Sequence, residues 1–224
     1  MAQQNYTNRM GKLANTNNTS IYTVPDQKMA IVNSARFANT DASNATTVTV
    51  QLLDSDDTAF TLLQEVSIAA STEANMLSRP IFLDEKEEIK IEASASNDIE
   101  YIFSIAEVDQ GVNNKYLNKM HDHDSTSKIT LYTVPDDRTA LILNFTSANY
   151  SASTPTGAGV FANAAGTEFN IDSGTMAAKT TYSHMVRTHI LQEKETIKFT
   201  AGTADQVNTF VSVMEMSKSG GSTA

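Results

Sequence analysis

The sequence contains no cysteine and no tryptophan in 224 residues. The absence of cysteine excludes disulfide bonds, thiolate metal sites and a cysteine nucleophile. A carbohydrate-binding module normally presents an exposed aromatic platform, but here the tyrosines are scattered along the chain. The Gly-x-Ser-x-Gly motif of serine hydrolases and the glycine-rich loops that cradle phosphates are also missing. We therefore expect that the protein is not an enzyme.

Positive charge is scarce as well. Sixteen Lys and Arg residues face 26 Asp and Glu residues, which gives a net charge of -10. An acidic chain without a basic cluster is not expected to bind nucleic acid or to dock on an anionic membrane. No apolar run reaches the length needed to cross a membrane. The beginning of the chain is polar, so we expect no signal peptide and expect synthesis in a cytoplasm.

The most informative feature of the sequence is an internal duplication. The hexapeptide Ile-Tyr-Thr-Val-Pro-Asp at 21–26 returns as Leu-Tyr-Thr-Val-Pro-Asp at 131–136. Three more segments return in the same order and at nearly the same offset. These further pairs are 38–43 with 148–153, 83–90 with 191–198, and 103–107 with 211–215. Ordered matches of this kind indicate a tandem duplication.

Each repeat is predicted to be built of short strands. Ile89, Ile91 and Ala93 alternate with polar residues, turn signals separate such segments, and no stretch has convincing helical periodicity. The prediction is an all-β fold with two tandem antiparallel β-sandwich domains, Ig-like or jelly-roll-like, and an extended N-terminal arm. The predicted divisions are an arm at 1–18, repeats at 19–108 and 129–216, a linker at 109–128 that could form one short helix, and a tail at 217–224.

Two tracts are candidate metal sites. Asp54, Asp56 and Glu65 fall at the first, third and twelfth positions of a calcium-binding EF-hand loop. The sixth position is Ala59 instead of glycine, so a solvated hairpin loop is the favoured interpretation.

The tract at 121–124 holds His121 and His123 with two aspartates and could bind zinc. Neighbouring side chains rarely converge on one ion, however, and no further ligand is evident. The adjacent carboxylates Glu87 and Glu88 are expected to be solvated. We expect no metal and no cofactor.

The segment from Met1 to Asn18 is rich in Asn, Gln and Thr and has no periodicity. It is predicted to be an extended arm that makes an assembly contact, because an extended segment can pair with the exposed sheet edge of a neighbour.

The repeated segments resemble the opening of small β-sandwich repeats in virion structural proteins of tailed bacteriophages, notably those of marine and cyanobacterial hosts. The later segments at 83–91 and 191–199, and the acidic ends of the last strands at Glu107 and Glu215, extend the resemblance. It implies a non-enzymatic virion protein that decorates or cements the capsid or belongs to the neck, tail or fibre attachment. The implied partners are other virion proteins and further copies of the chain. The alternative is a carbohydrate-binding or adhesion module, which would need a ligand face.

Overall fold

The computed structural model describes residues 4–110 and 114–218, and the regular elements within them are all β-strands. Small parts of the predicted arm and linker, at 1–3 and 111–113, and most of the predicted tail, at 219–224, lie outside the described residues. The strands are β1 (Gln4–Lys12), β2 (Thr19–Thr23), β3 (Lys28–Asn39), β4 (Thr46–Leu53), β5 (Ala59–Ile68), β6 (Glu73–Asn75), β7 (Ile81–Leu83), β8 (Glu88–Ala93), β9 (Ile99–Asp109), β10 (Asn114–Asp122), β11 (Ile129–Thr133), β12 (Arg138–Asn149), β13 (Thr156–Ala162), β14 (Glu168–Thr175), β15 (Thr181–Ser183), β16 (His189–Leu191), β17 (Thr196–Ala201) and β18 (Val207–Ser217). Across the described ranges, no helix is long and apolar enough to cross a membrane.

The strands form four antiparallel sheets. Sheet 1 has the order β1-β9-β3-β6, with β7 also paired to β3, and sheet 2 has the order β2-β8-β4-β5. Sheet 3 has the order β10-β18-β12-β15, with β16 also paired to β12, and sheet 4 has the order β11-β17-β13-β14. The nine strands β10–β18 therefore reproduce the pairing of β1–β9, strand by strand. We call β1–β9 the first repeat and β10–β18 the second repeat.

An irregularity of strand pairing also recurs. The register of β3 on β9 shifts between Val32 and Ser34, and the register of β12 on β18 shifts between Ile142 and Asn144. These two positions are separated by the same offset as the repeated hexapeptides at 21–26 and 131–136. The bulges were therefore copied with the repeat.

The predicted alternation of buried and solvated residues is confirmed. Ile89 and Ile91 of β8 are buried, as are Ile197 and Phe199 at the equivalent places of β17. Burying one such side chain contributes about 1.5–3 kcal/mol. Alternation of this kind sends one face of each strand into an apolar core and leaves the other face free.

The prediction of two tandem antiparallel β-sandwich domains with an extended N-terminal arm is wrong. The described chain is all-β but consists of four small antiparallel sheets of four or five strands, which is the composition of a four-bladed β-propeller. Each of these sheets joins strands that lie far apart in the sequence. The apolar core crosses between the repeats at one place, where Ala148 and Phe210 of the second repeat join a cluster with Val50 and Phe103 of the first, while a separate cluster around Phe199 lies within the second repeat.

The predicted arm and linker both contain strands of the sheets. β1 pairs with β9 in an unbroken antiparallel register, and the following Leu13 is buried in the core. The predicted linker helix is also wrong, because β10 pairs with β18 in the same way. Polar residues dominate β1 because it is an edge strand with little of its surface buried. How the chain divides into folding domains stays a prediction.

Candidate assembly interface

The tyrosines of the two repeated hexapeptides have the same buried role. Tyr22 Oη donates to Glu107 Oε1 at 3.1 Å, and Tyr132 Oη donates to Glu215 Oε1 at 2.9 Å. Burial raises the pKa of each tyrosine, and the neighbouring glutamate raises it further. These phenols therefore remain neutral hydrogen-bond donors that tie an early strand to the last strand of the repeat.

The repeated Ala-Asn pair is also structural. Asn39 Nδ2 donates to the carbonyl oxygens of Asn44 and Ile68 at 2.9 and 3.0 Å. Asn149 Nδ2 donates to the carbonyl oxygens of Ser153 and Met176 at 2.8 and 3.2 Å. Both amides satisfy buried backbone groups of a loop, so the residues shared by the two repeats hold the fold together.

The candidate calcium loop is a hairpin turn in both repeats. Asp54 Oδ1 accepts hydrogen bonds from the backbone N of Asp56 and of Thr58, each at 2.9 Å. Asn163 Oδ1 performs the same function in the second repeat, where it accepts from Thr167 N at 2.9 Å. Because the neutral Asn163 accepts the same turn hydrogen bond, the negative charge of Asp54 is not needed for the loop. The hydrogen-bonding requirement of the turn explains this aspartate.

The two histidines of the other metal candidate lie side by side, with ring centroids 4.9 Å apart. His123 is buried at the position that Leu13 occupies in the first repeat, and burial lowers its pKa to about 3. Its Nε2 lies 3.2 Å from Thr209 Oγ1. Among the described residues, no group of three His, Cys, Asp or Glu side chains is placed to hold a metal ion.

One buried cluster has the residue types of a catalytic triad. Ser147 Oγ lies 2.7 Å from His184 Nε2, and His184 Nδ1 lies 3.6 Å from Asp172 Oδ2. The second distance is too long for a hydrogen bond. Ser147 is 0% exposed, and burial lowers the pKa of His184 to about 4. The serine has no open path to a substrate, so the cluster is a polar part of the core.

The two repeats meet through an apolar contact. Met29, Phe82 and Val108 of the first repeat form a buried cluster against Tyr116 and Leu143 of the second. The rings of Phe82 and Tyr116 meet edge to face, with centroids 5.6 Å apart. Sequence reasoning did not identify this contact.

Hydrogen bonds flank the apolar contact. The backbone N of Phe82 donates to Ser212 Oγ at 3.0 Å, and Arg79 Nη1 donates to the carbonyl oxygen of Leu143 at 3.4 Å. The strands involved are β5 and β7 of the first repeat, which contact β10, β12 and β18 of the second. The association of the repeats is therefore specified by polar groups as well as by apolar area.

Two acidic side chains, the buried Glu87 and the half-buried Asp84, lie at the same interface. Asn118 of β10 donates from its backbone N to Asp84 Oδ2 at 3.3 Å and from Nδ2 to Glu87 Oε2 at 3.1 Å. Burial, reinforced by the nearby Asp84, raises the pKa of Glu87 to about 8. Burial also raises the pKa of Asp84 to about 6, against the opposing charges of Lys119 and Lys115. The expectation that Glu87 is solvated is therefore wrong, because the second repeat covers it.

Among the described residues, the large apolar side chains that stay exposed number three in each repeat. Tyr6, Met10 and Ile102 lie on β1 and β9 in the first repeat, where Met10 is the register partner of Ile102. The others are on the second repeat: Phe169, Val186 and Ile190. Met10 and Ile102 are therefore exposed neighbours on one sheet, and adjoining exposed apolar side chains of this kind mark interaction surfaces. Two of the six lie within the predicted arm, although as part of a strand.

No family model and no curated protein sequence matches this chain. Solved structures do resemble it. The major capsid protein P2 from bacteriophage PM2 is 15% identical, with 99% of each chain covered and a TM-score of 0.35. A chain from the atomic structure of Sulfolobus Turreted Icosahedral Virus is 12% identical, with a TM-score of 0.34, and the match covers 96% of the present chain and 60% of that one.

An enzyme is also among the similar structures. Peptide-N(4)-(N-acetyl-β-D-glucosaminyl)asparagine amidase is 10% identical, with 95% of this chain and 96% of that chain covered and a TM-score of 0.41. At these identities and TM-scores, none of the three likenesses carries an argument about function.

Proposed function

We propose that the protein is a non-enzymatic structural component of a phage virion that acts through protein–protein assembly. The observation that carries the proposal is the exposure of six large apolar side chains among the described residues, three in each repeat. Exposed apolar area favours association because it is removed from water when a partner binds. The resemblance of the repeated segments to tailed-phage virion proteins supplies the setting, with capsid, neck or tail proteins as partners.

Residue chemistry supports the non-enzymatic part of the proposal. The residues shared by both repeats are used for hydrogen bonds that hold the fold, as Tyr22 and Asn39 are. The one serine–histidine–aspartate cluster described above is buried around Ser147. Within the proposed role, decoration or cementing of the capsid and a place in the neck, tail or fibre attachment are both compatible with an assembly surface.

The test is quantitative mass spectrometry of purified virions, with an internal standard for this chain. We expect the chain to co-purify with intact particles in a fixed ratio to the major capsid protein. A high ratio would assign it to the capsid surface, and a ratio of a few copies to the neck or tail. Recovery of the chain only from the soluble lysate, with none in washed particles, would refute the proposal.

A further inference from the structure

The duplication allows the covered and the exposed surfaces of the two repeats to be compared position by position. Phe210 in β18 of the second repeat is 0% exposed because it packs against the first repeat, whereas its equivalent Ile102 is 38% exposed. Tyr116 is packed against Phe82, but its equivalent Tyr6 is 73% exposed. The first repeat thus carries an uncovered copy of the face by which the second repeat docks.

The opposite side of the contact is duplicated too. Phe82, which receives Tyr116, is 2% exposed, and its equivalent Ile190 in the second repeat is 62% exposed. Phe60 is likewise buried, but its equivalent Phe169 is 55% exposed. We call Tyr6, Met10, Ile102 and Ser104 the first-repeat face. We call Phe169, Val186 and Ile190 the second-repeat surface. The six large apolar side chains that are exposed within 4–110 and 114–218 are divided between these two regions.

The polar groups of the internal contact also recur on these two regions. Ser104, the equivalent of the buried Ser212, is exposed, and Asn8 is the exposed equivalent of Asn118. On the second repeat, the exposed Arg187 is the equivalent of Arg79, and the half-buried Glu195 is the equivalent of Glu87. At four positions the residue type that forms a hydrogen bond at the internal contact is therefore also present at the equivalent, more exposed position of the other repeat.

We propose that copies of this chain associate head to tail, with the first-repeat face of one copy on the second-repeat surface of the next, in the geometry of the internal contact. This deepens the proposed assembly function, on which it rests, by naming the partner as a second copy of the chain. The two surfaces are different from each other, so the contact is heterologous. Repetition of a heterologous contact gives a closed ring if the rotation closes and a filament if it does not.

The expected contacts between copies follow from the internal ones. The backbone N of Ile190 donates to Ser104 Oγ of the next copy, as Phe82 N donates to Ser212 Oγ within the chain. Asn8 Nδ2 donates to Glu195, as Asn118 does to Glu87. The ring of Tyr6 lies against Ile190. The half-buried Asp84 of the internal contact has no acidic counterpart, because Gln192 stands at the equivalent position.

Sedimentation velocity of the purified full-length chain over a concentration series tests the proposal. We expect the wild-type chain to form oligomers and both Ile102→Asp and Ile190→Asp to be monomeric, each with wild-type circular dichroism. An aspartate at Ala42, in an exposed loop outside both surfaces, is the matched control and leaves association unchanged. A monomeric wild-type chain, or association that survives both substitutions, would overturn the proposal.

Mixing the two monomeric variants distinguishes a heterologous contact from a symmetric one. The Ile102→Asp variant keeps its second-repeat surface, and the Ile190→Asp variant keeps its first-repeat face. The mixture is expected to form dimers and nothing larger, since only one intact contact is available. Failure of the mixed variants to associate, while the wild-type chain does, would refute the head-to-tail arrangement.

An engineered disulfide gives an independent readout, because the chain has no cysteine of its own. The double variant Ser104→Cys with Ile190→Cys is expected to give a ladder of disulfide-linked species on non-reducing gels, and each single variant is not. Monomer alone from the double variant would count against the contact. If the purified chain stays monomeric but virions contain it, this inference fails and the virion role stands. Oligomers of a chain that is absent from virions would support the head-to-tail contact and refute the virion role.

Discussion

Tyr22 Oη donates a hydrogen bond of 3.1 Å to Glu107 Oε1, and both side chains are buried. The pair joins the Tyr-Thr-Val-Pro segment, which begins in β2, to β9, the last strand of the first repeat. Tyr132 and Glu215 repeat the arrangement in the second repeat. The repeated hexapeptide therefore supplies the tyrosine that bonds to the last strand of each repeat. Its second occurrence marks a second copy of the same structure.

Removing either phenolic hydroxyl should destabilise the protein. In Tyr132→Phe the carboxylate of Glu215 keeps its burial but loses a donor, which costs about 1–3 kcal/mol. Tyr22→Phe is expected to have a similar cost through Glu107. The measurement is urea unfolding, with Tyr6→Phe as the control because that hydroxyl belongs to an exposed side chain. Equal midpoints for all three variants would show that the buried bonds contribute nothing.

Deleting residues 1–13 should unfold or severely destabilise the first repeat. β1 covers the edge of β9 along nine register pairs, and Leu13 fills the core. The milder Leu13→Ala change is expected to cost about 2–5 kcal/mol, and the control Lys12→Ala almost nothing. Thermal unfolding followed by circular dichroism provides the comparison. If the truncated chain melts like the full-length chain, β1 is dispensable to the fold.

The buried Glu87 should make the stability depend on pH. A carboxyl group whose folded pKa is raised, such as Glu87 at about 8, stabilises the fold below its unfolded pKa, and this contribution is lost as the pH rises through the folded pKa. Below about pH 6.5 the neutral buried histidines His123 and His184, with lowered pKa values, act in the opposite direction. The effect of Glu87 is therefore clearest between about pH 6.5 and 8.

The free energy of unfolding is expected to fall by about 1–2 kcal/mol across this window in the wild-type protein. Glu87→Gln should flatten the profile, because the amide oxygen can still accept from Asn118 but carries no charge. Urea unfolding at half-unit steps of pH gives the two curves, and Glu88→Gln on the neighbouring residue is the matched control. Parallel curves for wild type and Glu87→Gln would contradict the assignment.

Metal removal is expected to leave stability unchanged. Asp54 is predicted to be replaceable by asparagine within about 0.5 kcal/mol, because Asn163 holds the equivalent loop. Asp54→Ala should cost about 1 kcal/mol through its lost turn hydrogen bonds. The measurement is the melting temperature with and without EDTA for these variants and for His121→Ala. A drop on chelation that the Asp54 or His121 variants abolish would establish a metal site.

The buried residues of β8 and β17 could be predicted from sequence because successive side chains of a strand point to opposite faces of the sheet. An alternating apolar and polar sequence therefore shows which residues are buried. The role of Glu87 could not, because a charged residue in a turn is indistinguishable from a solvated one until another part of the chain covers it. The strands β1 and β10 could not be predicted for the same reason. Their polar composition is compatible both with an edge strand and with an unpaired segment.

By itself, the sequence determined the duplication, the all-β composition and the buried phase of residues such as Ile91 and Phe199, all of which depend on local periodicity and on comparison of one segment with another. Tertiary structure decided that four sheets form, that the core passes between the repeats through Phe210, and that Tyr6 and Ile190 stay exposed although their counterparts are covered. The physical reason is that burial at a contact depends on which distant surfaces meet. Two repeats in one chain have two docking faces and two receiving surfaces, and a single internal contact leaves one of each open.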